Sequence, residues 1–198
     1  MNTGIITSFV VSGILLLAIL AMNLNISQSS SELTMRQVNQ QNVNTVAELL
    51  SYDFPKIGYK QLSAMAINNP IISDARANRI KFQADIDNNG SVGVVEWFYD
   101  TESPVNKGSN PDDYILYRTV DGNQMALTFG VTSFNLSYFD EDRNAITAPV
   151  SSSNLDDIRF IQVNLTMETR ELLGQRGGGG EYITSPWQKT FAPKNLSN

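Results

Sequence analysis

From Ile5 to Met22 the chain reads IITSFVVSGILLLAILAM, an uncharged apolar run interrupted only by Thr7, Ser8, Ser12 and Gly13. At about 1.5 Å of rise per residue, such a helix crosses most or all of a ~30 Å hydrocarbon layer. The pattern predicts a membrane anchor over residues 1–24. A cleaved signal sequence is the rival reading. It requires a basic leading region, whereas Met1-Asn2-Thr3-Gly4 carries no Lys or Arg, and Ala18-Ile19-Leu20-Ala21 has the wrong spacing for cleavage. The first basic residue is Arg36, so charge bias says little about orientation, and the short N-terminus is expected to stay inside.

From Asn25 to Tyr59 the composition turns polar, yet Leu33, Met35, Val38, Val43, Val46, Leu49, Leu50, Phe54 and Ile57 recur at mostly helical spacing. This predicts an amphipathic helix to about residue 57, laying one stripe on a core. Phe54-Pro55 marks its end, since proline disfavours helix at the residue before it, and Gly58 follows closely. Two readings stand side by side: anchor and amphipathic helix form one continuous rod, or a tether precedes a separate helix.

Beyond Gly58 the periodicity changes to alternation. Arg79 to Ala84 places Ile80, Phe82 and Ala84 on one face, and Val94 to Tyr99 places Val95, Trp97 and Tyr99 likewise. The turn-rich Asp85-Ile86-Asp87-Asn88-Asn89-Gly90 between them predicts a hairpin. Tyr114 to Val120 reads as a third strand, and Asp121-Gly122-Asn123 as a turn before Met125 to Phe129. Val131 to Phe139, Asp156 to Thr169 and a last strand near Tyr182 to Phe191 complete the set, with Gly177 to Gly180 as a flexible loop tip. In Asp156 to Thr169, Ile161, Val163, Leu165 and Met167 alternate with Gln162, Asn164 and Thr166, as in a half-buried antiparallel strand. The expected fold is α+β: a long N-terminal helix, transmembrane then amphipathic, packed on an antiparallel β-sheet head spanning 25–198.

Composition removes whole mechanisms. Among 198 residues there is no Cys and no His, which excludes thiolate chemistry, disulfides, Cys or His zinc sites and a Ser-His-Asp triad. With 14 Lys plus Arg against 20 Asp plus Glu and no basic run, nucleic acid is not an expected partner.

The order of parts resembles a known family. Asp85 to Gly90 followed by Glu96-Trp97-Phe98-Tyr99, Leu116-Tyr117-Arg118-Thr119, Gly130-Val131-Thr132-Ser133-Phe134 and Tyr138-Phe139-Asp140 is similar to the C-terminal half of PilW-like minor pilins and J-type pseudopilins of type II secretion. Leu50 to Tyr59 resembles the place where those proteins leave their long helix, and Leu155 to Leu165 with Pro193-Lys194-Asn195-Leu196 continues the likeness. The resemblance to the type IV pilin superfamily implies a pilin-like fold and a prepilin processed between Gly4 and Ile5. It also implies a Glu at the fifth residue after the processed Gly, where this chain has Phe9; some tip pseudopilins lack that Glu too.

Asp85 to Glu96 satisfies the pattern of a Ca²⁺-binding EF-hand loop, with Asp85, Asp87, Asn89 and the distal Glu96 as metal-ligand candidates. The flanks read as strands, which argues against helix-loop-helix. A looser Ca²⁺ site on the hairpin remains one reading. The other is a tight turn, because Asp, Asn and Gly bond the local backbone and tolerate positive φ. Asp140-Glu141-Asp142 and Asp112-Asp113 are expected in exposed loops, where carboxylates do not acquire the shifted pKa of an acid/base pair. The aromatic residues Trp97, Phe98, Tyr99, Tyr114, Tyr117, Phe134, Tyr138 and Phe139 are expected to pack in the core. The glycine run lacks the following Lys-Ser/Thr of a phosphate loop.

The expected function is structural rather than enzymatic: a minor pilin or pseudopilin that takes part in assembly or initiation of a type IV pilus or secretion pseudopilus. Its expected location is the inner membrane, crossed once, with the head in the periplasm or outside the cell. The expected partners are the membrane and other such subunits, bundled through the rod with help from Ser12, Gly13, Ala18 and Ala21. No small-molecule substrate is expected, and Ca²⁺ is the sole candidate cofactor. The alternative is a stand-alone membrane-tethered binding domain outside the cytoplasm, Ca²⁺-dependent if the hairpin binds the ion.

Overall fold

In the computed structural model, which describes residues 3–62, 66–105, 110–173 and 180–196, Thr3 to Asp53 form one uninterrupted helix, α1. Met1, Asn2 and the loop glycines Gly177 to Gly179 lie outside the described residues. No Gly or Pro occurs from Ile14 to Asp53, so nothing in the backbone chemistry breaks the ladder. Its 51 residues extend about 76 Å. Anchor and amphipathic segment are therefore one rod. Pro55 ends it, in a 3-10 turn at Phe54–Lys56, and Gly58, at φ +74°, redirects the chain so that its N–H bonds Gln83 O at 2.9 Å.

The buried stripe of α1 is Asn39, Val43, Val46, Leu50 and Asp53, spaced alternately four and three residues apart. It begins later than the sequence pattern suggests. Leu33 and Val38 belong to the predicted stripe but are 67% and 50% exposed.

The strands are β1 (Ile72–Ala75), β2 (Arg79–Ala84), β3 (Gly93–Pro104), β4 (Tyr114–Val120), β5 (Asn123–Phe139), β6 (Ala145–Ile146), β7 (Phe160–Glu168) and β8 (Thr184–Phe191). They form one antiparallel sheet in the order β1-β2-β3-β4-β5-β7-β8, with β6 paired to β5. The fold is α+β, as the change of period predicts. The predicted β2–β3 hairpin forms, with Ile80 opposite Trp97 and Phe82 opposite Val95. Asp121 and Gly122, at φ +50° and +81°, make the two-residue turn into β5.

The runs before and after Gly130 are a single strand with a bend. Gly130 has φ +89°, the pairing register slips there on both sides, and a Cβ would stand 2.1 Å from Glu168 O. The first half of β5 pairs with β4 and the second with β7, which curls the sheet around the end of α1. The predicted strand from Asp156 starts only at Phe160; Leu155–Asp157 is a 3-10 turn, in keeping with two adjacent Asp residues.

The core joins the helix stripe to the inner sheet face. Phe54 lies between Phe82 and Phe191, at ring-centre distances of 6.3 and 5.0 Å, over a floor that includes Trp97, Leu116, Ile161 and Val163. Phe98 and Tyr117 depart from the core expectation: strand alternation puts them on the outer face, where their rings stack 6.4 Å apart.

Candidate functional site

Two regions hold the predicted functional residues: the bare N-terminal half of α1 and the turn between β2 and β3. In the first, the apolar stretch is long enough to cross a membrane and none of its most apolar window is buried. Phe9, Ile14, Leu15, Leu16, Leu17 and Leu24 are each at least 60% exposed, a surface that water disfavours and lipid does not. Two of the hydroxyls among them are satisfied internally. Thr7 Oγ1 donates to Thr3 O and Gly4 O, and Ser8 Oγ to Gly4 O, so neither hydroxyl enters hydrocarbon without a partner. Gly4 and Ile5, the processing candidates, lie in the exposed first turns, and a Cβ on Gly4 would meet nothing within 4 Å. The helix carries no charge before Glu32. This single helix is consistent with a one-pass anchor.

The second region brings three of the four metal-ligand candidates together. Asp85, buried, accepts from Asn89 N–H at 3.1 Å and Gly90 N–H at 3.3 Å. Asp87 accepts from Asn89 N–H at 3.2 Å and from Asn89 Nδ2 at 2.8 Å. Asn89 Oδ1 accepts from Ser91 N–H at 2.8 Å. Each of these side-chain oxygens already holds a donor of the turn. Glu96 is not with them: it sits within β3 opposite Lys81, and its Oε1 lies 2.7 Å from Arg79 Nη2. Among the described residues no group of three or more His, Cys, Asp or Glu is placed to hold a metal ion.

The acidic pairs divide. Glu141 and Asp142 are exposed, as expected, while Asp140 is half-buried, and hydrogen bonds from the Asn144 side chain and backbone hold its carboxyl below the usual range. Asp113 is a correction: expected at the surface, it is 1% exposed. It directly precedes β4, whose docking against β5 carries it inward, and its carboxylate lies 3.4 Å from Arg170 Nε. Burial raises its pKa, and the Arg170 charge pulls the other way.

Sequence reasoning missed the buried polar centre of the head. Asp53, fully buried at the end of α1, receives Arg118 Nε and Nη2 at 2.7 Å each and Trp97 Nε1 at 2.8 Å. Trp97 and Arg118 are register partners on β3 and β4, so two neighbouring strands present both donors to one carboxylate. The bonds to Asp53 hold the Arg118 proton more tightly than usual, against the opposing effect of burial. A signal was present: Asp53 continues the stripe three residues after Leu50, where a solvated acid has no place.

No family model, curated protein or solved structure matches the chain.

Proposed function

We propose that the chain is a membrane-anchored structural subunit of the type IV pilin kind, whose apolar rod sits in the lipid beside the rods of other subunits while the head packs laterally outside. The observation that carries the reading is the continuity of α1: one rod runs from a wholly unburied apolar half into the core of a curled sheet. A simple tether has no need of a stiff connection, whereas a subunit that must set its head at a fixed height and angle in a fibre does. The polar stretch 25–38 supports it as well, being helical yet almost bare, a length of rod left for neighbours. The small residues Ser12, Gly13, Ala18 and Ala21 allow close approach of helices where apolar burial offers no gain. In this reading the chain is structural and not catalytic.

The test is the intact mass of the native protein taken from its own membrane. A start at Ile5 with an added methyl group supports processing after Gly4 and assembly. A start at Met1 leaves a pilin-shaped anchor outside any fibre, and a start after Ala21 removes the rod and the proposal with it.

A further inference from the structure

The β2–β3 turn holds a reactive dipeptide that anchoring and assembly leave unused. In Asn89-Gly90 the backbone nitrogen of residue 90 is a potential nucleophile toward the Asn89 carboxamide, and a glycine offers no side chain to hinder the approach. Asn89 is exposed, Gly90 has φ +87°, and a Cβ at Gly90 would meet nothing within 4 Å. The contacts around this pair match the needs of ring closure one by one. Gly90 N–H already donates to the Asp85 carboxylate at 3.3 Å, a base placed on the proton that must leave. Ser91 N–H donates at 2.8 Å to Asn89 Oδ1, the oxygen on which negative charge develops. Asn89 Nδ2, the departing nitrogen, is fixed on Asp87 Oδ2 at 2.8 Å.

The geometry points to Asn89 as a site of self-catalysed deamidation, driven by the turn that encloses it. Gly90 N loses its proton to Asp85 and bonds to Asn89 Cγ. The Cγ–Nδ2 bond then breaks, and the nitrogen leaves as ammonia with the proton returned from Asp85, giving a cyclic imide. Water opens the imide at either carbonyl, restoring the Gly90 N–H and leaving aspartate or isoaspartate; the net change is amide plus water to carboxylate plus ammonium. No oxidant, metal or other protein takes part. The product puts a third carboxylate beside Asp85 and Asp87, and the isoaspartyl form lengthens the backbone by one methylene. Both changes loosen a turn that now holds two Asn89 N–H bonds.

The experiment follows conversion at Asn89 by peptide mapping, with separate detection of isoaspartate. It compares the full-length protein in detergent with a synthetic peptide spanning 83–94 under the same neutral buffer. The folded protein is expected to convert several-fold faster than the peptide. Asp87→Ala, an exposed position outside the core, is expected to bring the folded rate down toward the peptide's while leaving the peptide's own rate unchanged. A folded protein that converts no faster than the peptide overturns the proposal, as does a folded rate indifferent to both Asp87→Ala and Asp85→Asn.

Discussion

Asp53 and Arg118 meet where the helix ends, in a two-point contact with both distances at 2.7 Å and the carboxylate fully buried. The C-terminus of a helix is the wrong end for an anion, so Asp53 depends on the guanidinium and on Trp97 for its charge to be tolerated there. Asp53→Ala is expected to destabilise the head by about 3–5 kcal/mol, because it strands a mostly buried arginine. Pairing Asp53→Leu with Arg118→Met is expected to recover the larger part, leaving about 1–3 kcal/mol for the unpaired Trp97 N–H. Urea unfolding of the detergent-solubilised variants measures both. A double variant as unstable as the single one would show that the loss comes from packing and not from charge.

Gly130 and Gly122 both have positive φ, at +89° and +81°, but their surroundings separate them. A methyl group at Gly122 meets open space, so Gly122→Ala is expected to cost only the backbone term, about 1–2 kcal/mol. At Gly130 the methyl would stand 2.1 Å from Glu168 O and force β5 off β7, the bend on which the curl of the sheet depends. Gly130→Ala is therefore expected to lower the thermal midpoint well beyond Gly122→Ala. Equal shifts would mean that β7 yields at no cost.

Alternation made β2, β3 and β7 legible, because Ile80/Phe82, Val95/Trp97 and Ile161/Val163/Leu165 each show one buried face. The helix end was legible in Pro55. The short strands β1 and β6 carry too few residues for a period to register. The joining of two runs into β5 was hidden because Gly130 reads as a breaker locally, and only Glu168, 38 positions away in the chain, reveals it as a bulge. Of the candidate site, the turn around Asp85 was legible as a turn. Where Glu96 points was not, since that is decided by the pairing of β3 with β2 and by Arg79. The burial of Asp113 was invisible for the same reason: it follows from which strands become neighbours.

The apolar half of α1 contributes no buried residue to the head. A chain beginning at Asn25 is therefore expected to be water-soluble and to unfold within about 0.5 kcal/mol of the full-length protein in detergent. A larger loss would mean that the rod, and not only its stripe from Asn39 to Asp53, supports the sheet. In the full-length protein, Leu16→Arg places a charge mid-anchor, costs about 2.5–3.5 kcal/mol of insertion, and is expected to shift the protein from the carbonate-resistant membrane fraction toward the soluble one.

Asp113 gives the head an unusual response to pH. Its carboxyl pKa is higher folded than unfolded, since burial outweighs the help from Arg170, so the folded state binds the proton more readily. Stability from this group therefore falls as pH rises from the ordinary carboxylate range through the raised folded value. Above that value the full penalty is present; below the unfolded value both states are protonated and the penalty vanishes. The charged and titratable groups around Asp113 are Asp112, Tyr99 and Tyr114, which carry no opposing positive charge, and Arg170, which does. Asp113→Asn keeps the shape and removes the titration. The variant is expected to flatten the decline in unfolding free energy across mildly acidic pH, with its advantage over the parent growing toward neutrality. Urea titrations at a series of pH values test this, and an unchanged slope would mean that the Arg170 pair holds Asp113 ionised at no cost.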